Sequence, residues 1–103
     1  MPGLTQGERI LDAVDIAGRA QATLAVSGTA AQTAAALAQG AYDVWCDGAD
    51  VYIKVAETAN DVTTSTGYVI KAGNVVPVWV PANNKLGAIT AGAAATLRYH
   101  RVG

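Results

Sequence analysis

The reading starts from Val51-Tyr52-Ile53-Lys54-Val55, followed by a polar run and then Gly67-Tyr68-Val69-Ile70-Lys71-Ala72-Gly73-Asn74-Val75-Val76-Pro77-Val78-Trp79-Val80. In the first five residues Val51, Ile53 and Val55 share one side and Tyr52 and Lys54 the other, which is the period of a half-buried strand. The run from Val75 to Val80 is β-branched and aromatic apart from Pro77. A proline has no N–H for a sheet ladder, so this strand is expected at a sheet edge or at a bulge.

Upstream, Ala22, Leu24 and Val26 alternate with Gln21, Thr23 and Ala25, and Ser27-Gly28 supplies turn residues. Tyr42 to Cys46 reads as a strand, Asp47-Gly48-Ala49-Asp50 holds a D-G turn pair, and Val51 returns, so a hairpin is expected here. Downstream, Gly67 to Ile70, Val75 to Val80, Lys85 to Thr90 and Ala94 to Val102 read as strands separated by Gly- and Asn-containing turns. Thr29 to Gln39 stays open: its Ala content favours a helix, while its place among short strands favours a narrow strand pair or a crossing over the core. Glu57 to Thr66 has loop composition, and loops of this length in small domains tend to carry contacts.

These elements predict an all-β fold, a small β-sandwich or jelly-roll-like barrel of roughly seven to eight short antiparallel strands. Residues 1–18 differ in texture. Glu8, Arg9, Asp12 and Asp15 sit among Ile10, Leu11, Val14 and Ile16, too short a segment for an independent helix. It reads as an extended N-terminal arm on a single β domain of residues 19–103, docked on its own sheet or on a neighbour.

A chain of 103 residues is one domain by ordinary size. Its apolar content is carried by Ala and Val, with no Phe and one Met, so its core is built of small side chains. The formal net charge is −1, from seven basic and eight acidic side chains, which gives no electrostatic footprint for a phosphate backbone, and nucleic acid is not an expected partner. No run approaches a membrane span, and Met1 to Gln6 lacks the order of a signal peptide, so synthesis in a cytosol and no membrane partner are expected.

The residues that could carry chemistry have simpler readings. Cys46, the single cysteine, shares a face with Tyr42 and Val44 and reads as a small buried hydrophobe. It lacks a base partner that would make it a nucleophile. Asp43, Asp47 and Asp50 are candidates for paired carboxylates or, with Asn60 and Asp61, for a calcium ion. Yet Asp47 and Asp50 stand where turns favour Asp, and the spacing fits no EF-hand loop. No phosphate-binding loop, nucleophile elbow or HExxH helix is present. The chain is therefore read as no enzyme, with no catalytic residue, metal, cofactor or small-molecule substrate. Tyr52 and Trp79, each opposite an apolar strand face, are candidate interface anchors, with both faces of their strands being buried as the competing reading. His100, between Arg98 and Arg101, is a candidate interface position rather than a metal ligand.

Between Gly40 and Val102, several segments together resemble small virion structural proteins of tailed bacteriophages: Gly40-Ala-Tyr-Asp-Val-Trp-Cys46, Asp50-Val-Tyr-Ile-Lys-Val-Ala56, the loop ending Thr63-Thr-Ser-Thr-Gly67, Val69-Ile-Lys-Ala-Gly-Asn-Val-Val-Pro-Val-Trp-Val-Pro81, Lys85-Leu-Gly-Ala-Ile89 and Gly92-Ala-Ala-Ala-Thr-Leu-Arg-Tyr99. In such proteins a Y-I-(K/R)-V strand, an A-G turn, a V-P edge and a K-L-A-V-I strand recur in a compact β domain. The resemblance implies a capsid decoration or cement protein on the outer surface of a virion, made in the host cytoplasm. It would bind the major capsid protein and its own copies as a dimer or trimer, with Ile10, Leu11, Val14, Ile16, Tyr52, Trp79 and His100 as interface residues. The alternative it implies is a tail, neck or head-fibre domain that joins head to tail or recognises a host glycan through Tyr52, Trp79, Asp43 and Asn60. The first third of the chain lies outside the resemblance.

Overall fold

The structure is a computed structural model that describes residues 21–103. It contains eight strands: β1 (Ala22–Val26), β2 (Ala31–Gln32), β3 (Gly40–Asp47), β4 (Val51–Ala56), β5 (Tyr68–Ile70), β6 (Val75–Val80), β7 (Lys85–Ile89) and β8 (Ala95–Arg101). There is no helix among the described residues. Every pairing is antiparallel, and the strands form two four-stranded sheets in the orders β1-β8-β3-β6 and β2-β7-β4-β5. All connections except β4 to β5 therefore carry the chain from one sheet to the other. The N-terminal arm, with Ile10, Leu11, Val14 and Ile16, lies outside the described residues.

One core joins the two sheets. Val26, Tyr42, Val44, Cys46, Val80 and Leu97 from the β1-β8-β3-β6 sheet meet Val51, Ile53, Ile70, Leu86 and Ala88 from the other. Aliphatic side chains of modest size fill it, as the Ala and Val content predicts. Tyr42 is the one aromatic in the buried core. Its hydroxyl donates to the Ala38 carbonyl at 2.7 Å and its ring meets Tyr99 at a centroid distance of 6.4 Å, so its polar end is satisfied while its body packs. Cys46 is fully buried on the face of Tyr42 and Val44, and its thiol donates to the Ile70 carbonyl of the opposite sheet at 3.4 Å.

The expected hairpin between Tyr42–Cys46 and Val51–Val55 does not form. Strand β3 pairs with β6 and β8, and β4 pairs with β5 and β7, so Asp47-Gly48-Ala49-Asp50 steps between sheets. A tight I′ hairpin turn needs positive φ at both central residues. Only Gly48, at φ 98°, has it, and Ala49 does not. The flanking aspartates are held by other elements: Asp47 accepts from Arg98 Nε at 2.6 Å, and Asp50 from the Ala72 N–H at 2.9 Å and Lys71 Nζ at 3.2 Å. Crossing places Val44 and Cys46 against Val51 and Ile53 in the same core, where a hairpin would set them side by side in one sheet.

Helix and strand propensity compete in Thr29 to Gln39, and tertiary hydrogen bonds decide the outcome. After the two residues of β2, Thr33 continues the pairing with β7 in mixed form. Its N–H donates to the Leu86 carbonyl at 2.9 Å, and the Leu86 N–H donates to its hydroxyl at 3.3 Å. The Leu37 N–H then donates to the Asn84 carbonyl at 2.9 Å. These bonds satisfy backbone groups that a helix would otherwise pair internally, and the segment crosses the core without one.

The Glu57 to Thr66 loop is not an excursion into solvent. It folds back over the outer face of the β2-β7-β4-β5 sheet and buries Ala59 and Val62 completely. The Ala59 N–H donates to Gln32 Oε1 at 2.9 Å, and Lys54 reaches Asp61 at 2.7 Å. Thr63 and Thr66 close a tight turn through their hydroxyls, and the Gly67 N–H donates to the Thr63 carbonyl at 2.8 Å.

Candidate functional site

The two outer faces of the molecule differ. The face of the β2-β7-β4-β5 sheet carries the loop just described, and Tyr52 lies half-buried there, its Cβ close against Gly67. The outer face of the β1-β8-β3-β6 sheet carries no such cover from the described residues, and it presents large apolar side chains. Trp79 is 59% and Val75 57% exposed, Pro77 stands exposed between them on β6, and Trp45 and Ala41 are half-buried on β3.

Register sets these side chains in rows across the sheet. Val75 is opposite Trp45, which is opposite Arg98, which is opposite Thr23. The next row holds Pro77, Asp43 and His100, and a third holds Trp79 beside Ala41. Strand alternation gives this arrangement directly: the even-numbered Val76, Val78 and Val80 turn inward, leaving the odd-numbered positions of β6 outward. The result is an apolar rim along edge strand β6 grading into a polar strip of Asp43, His100, Arg98 and Asp47. The Arg98–Asp47 pair is partly exposed, so it fixes side-chain positions more than it stabilises the fold. The Nε2 atom of His100 is buried and has no hydrogen-bond partner.

Of the sequence-predicted interface residues, the structure thus brings Trp79 and His100 to one face and puts Tyr52 on the opposite one. The recognition set of Tyr52, Trp79, Asp43 and Asn60 is split in the same way, since Asn60 belongs to the loop over the other sheet. Two contributors went unread in the sequence, Trp45 and Val75. Both share the outward parity of their strands with Asp43 and Trp79, so the signal was present. A valine or tryptophan in a β-rich run is ordinarily assigned to the core, and that masked it.

Asp43, Asp47 and Asp50 do not converge. Asp47 and Asp50 are engaged as described, and Asp43 lies opposite Pro77 and His100. Among the described residues no group of three or more His, Cys, Asp or Glu side chains could hold a metal ion. Lys71 and the Ala72 N–H hold the Asp50 carboxyl below the usual carboxylate range, the backbone bond contributing most. Lys54 does the same for Asp61. Burial pushes the Cys46 thiol up, which keeps it protonated and unreactive.

A second feature is a cleft of about 330 Å³ between the two sheets, lined by Ile53, Val55, Val76 and Val78, with Lys54, Tyr68 and Pro77 at its rim. It exists because β5 is short. Strand β5 covers only Val51–Ile53 of β4, and the Thr63–Gly67 turn takes the chain away before it can reach Lys54–Ala56. The core therefore opens on the side where edge strands β5 and β6 face each other.

No helix of the described residues is long and apolar enough to cross a membrane. No family model, curated protein or solved structure matches the chain.

Proposed function

We propose that this chain is a structural protein of a tailed-bacteriophage particle, a decoration or cement protein that binds between major capsid subunits on the outer surface of the head. The observation that carries the reading is the strand order. Sheets ordered β1-β8-β3-β6 and β2-β7-β4-β5, with nearly every connection passing from one to the other, follow the eight-stranded double-sheet plan of the jelly roll, an architecture used by viral capsid domains and by lectins. Fold alone does not assign function, and two further features support the virion reading. The resemblance between Gly40 and Val102 covers β3 to β8, three of the four strands of each sheet. The exposed rim of Val75, Pro77 and Trp79 beside Trp45 also supplies the aromatic and apolar anchors around which protein interfaces concentrate their energy.

A small domain with a core of Val, Ile, Leu and Ala gains stability when many copies are bound, because a partner that binds only the folded state shifts the folding equilibrium. In this reading the Trp79 face lies on the capsid, the N-terminal arm extends the contact, and the protein is made in the host cytoplasm before joining the virion. No enzymatic step is assigned to it.

Exposed Trp79, one row along the sheet from Asp43, favours a second reading, a tail, neck or head-fibre domain that recognises a host glycan by stacking on the tryptophan. Quantitative mass spectrometry of purified particles from the encoding phage separates the two. A copy number that is a simple fraction of the capsid subunit count supports the cement role, and a few copies per particle support the tail or neck. Absence from particles overturns both. Heat and osmotic-shock resistance of particles lacking the chain gives the second test: full resistance overturns the cement role.

A further inference from the structure

We infer that the cleft between β5 and β6 binds an aliphatic carboxylate of medium chain length, its hydrocarbon chain between the sheets and its head on Lys54. The inference stands apart from the virion reading and starts from side-chain parity at this corner of the sandwich. Ile53, Val55, Val76 and Val78 have the inward parity of their strands, and so does Tyr68, which lies opposite Ile53 in the register. Elsewhere on the same three strands that parity means full burial, as for Val51, Ile70 and Val80. At this corner it does not. Val55, Val76 and Val78 are only half-buried, and Tyr68 is 64% exposed. Apolar surface that faces the core is thus left in water, and a ligand in the cleft removes it from water without disturbing either sheet.

The space limits the chain. A cleft of about 330 Å³ lies at the small end of ligand sites. A cavity of ~150 Å³ takes the six carbons of a benzene ring, so this one takes roughly ten to a dozen. The side chains of its floor, Ile53, Val55, Val76 and Val78, are aliphatic and β-branched. They give no ring for a planar ligand to stack on and no polar group for an internal hydroxyl or amide, which selects a plain hydrocarbon chain. A peptide strand fits less well, because Pro77 stands in the β6 wall and offers it no N–H.

The rim selects the head. Lys54 is the only charged side chain among the described residues that line the cleft, and no described carboxylate lines it. Asp61 accepts from Lys54 Nζ at 2.7 Å, in a pair whose side chains are 36% and 63% exposed. An ammonium has three donors and an exposed pair holds weakly, so Lys54 has capacity for a second carboxylate. Tyr68 stands at the same rim, its hydroxyl a further donor.

The test titrates the full ¹⁵N-labelled chain with sodium decanoate and follows its ¹H–¹⁵N spectrum. Shifts at residues 53–55, 68 and 76–78 that saturate by ~1 mM are expected. No shift at that concentration, or shifts centred on another surface such as the Trp79 face, overturns the inference. Decylammonium, with the same chain and the opposite head, should bind at least tenfold more weakly, and Lys54→Glu should reverse that preference. Asp61→Asn removes the competing carboxylate and should tighten decanoate severalfold, a gain that a merely structural role of the pair does not give. Equal affinity for the two heads, or an Asp61→Asn variant that binds decanoate more weakly, overturns the inference as well. Both substitutions lie at the exposed rim, and each predicts a gain of binding, so loss of folding cannot be mistaken for support.

Discussion

The carbonyl of Ala59 lies so close over Gly87 that a Cβ at position 87 would collide with backbone and methyl atoms of Ala59. Gly87 is in β7 opposite Lys54, on the outer face of its sheet, and the missing side chain is what lets the Glu57 to Thr66 loop lie flat. Backbone, rather than a flexible side chain, sits over the position, so the neighbour cannot swing away. Gly87→Ala should destabilise the protein by about 1–3 kcal/mol, the usual cost of overpacking. For a domain of this size that lowers Tm by several degrees. A calorimetric melt checks it, and limited proteolysis should cut the loop faster in the variant. An unchanged melt would mean that the loop does not rest where it is described.

Pro77 stands at the centre of the edge of β6 that no described strand pairs. The strand is six residues long, apolar and exposed at Val75 and Trp79, the combination most prone to edge-to-edge pairing. Pro77→Val should leave the melting temperature unchanged or raised and speed aggregation severalfold, read as light scattering at equal concentration. Equal aggregation rates would remove this role from the proline.

Trp79 is expected to matter for binding and not for folding. Its exposure predicts that Trp79→Ala changes stability by no more than about 0.5 kcal/mol. As an interface anchor it would carry about 2 kcal/mol or more, a loss of roughly thirtyfold in affinity for the particle. Binding of wild-type and variant chains to particles lacking the protein, measured by co-sedimentation, checks this. Tyr52→Ala, on the opposite face, serves as the comparison and should retain wild-type binding.

The pH dependence of stability follows from the thiol and the phenol that burial affects. Desolvation raises the folded-state pKa of Cys46 above its usual 9.0 and that of Tyr99 above 10.0. In the unfolded chain both groups lose their protons first, so the unfolded state binds fewer protons and stability falls as pH rises. The stabilisation is complete below about pH 8.5 and is lost as pH climbs through the folded-state values. Urea midpoints between pH 7 and 10.5 should decline, and Cys46→Ala should flatten the first part of that decline. At the acid end, Asp50 and Asp61 have lowered pKa values, so their small contributions are present above the usual carboxylate range and disappear as pH falls on through the lowered folded-state values. Both are exposed, and salt should mute that limb.

Removing the Gln32 side-chain amide should leave the Ala59 N–H without its acceptor. Gln32→Ala is expected to cost about 1 kcal/mol, and hydrogen exchange at Ala59 should quicken while exchange in β3 does not.

Much of this molecule is written in local patterns. Alternation of Val51, Ile53 and Val55 with Tyr52 and Lys54 placed β4 and assigned its inward side. The same reading placed Cys46 in the core, left Trp79 either outward or on a strand buried on both faces, and limited β6, through the missing N–H of Pro77, to an edge or a bulge. These are properties of two or three neighbouring residues, because side-chain direction in a strand depends only on parity and a proline carries its constraint wherever it stands. Partner choice is not local. The Asp-Gly pair at 47 and 48 is a hairpin signal in isolation. It became a crossing in which Val44 and Cys46 share one core with Val51 and Ile53 across the sheets, and Asp47 and Asp50 are held by Arg98 and Lys71. The Ala-rich segment after Thr29 lost its helix to bonds with Leu86 and Asn84, residues far along the chain. The face of Trp79, which no other described segment covers, and the cleft beside Lys54 likewise exist only once the Thr63–Gly67 turn has ended β5 and the Glu57 to Thr66 loop has covered the other sheet. Strand identity and facing are fixed by each segment's own periodicity, whereas sheet order and surface exposure depend on where distant segments bury their apolar sides, which only the assembled core decides.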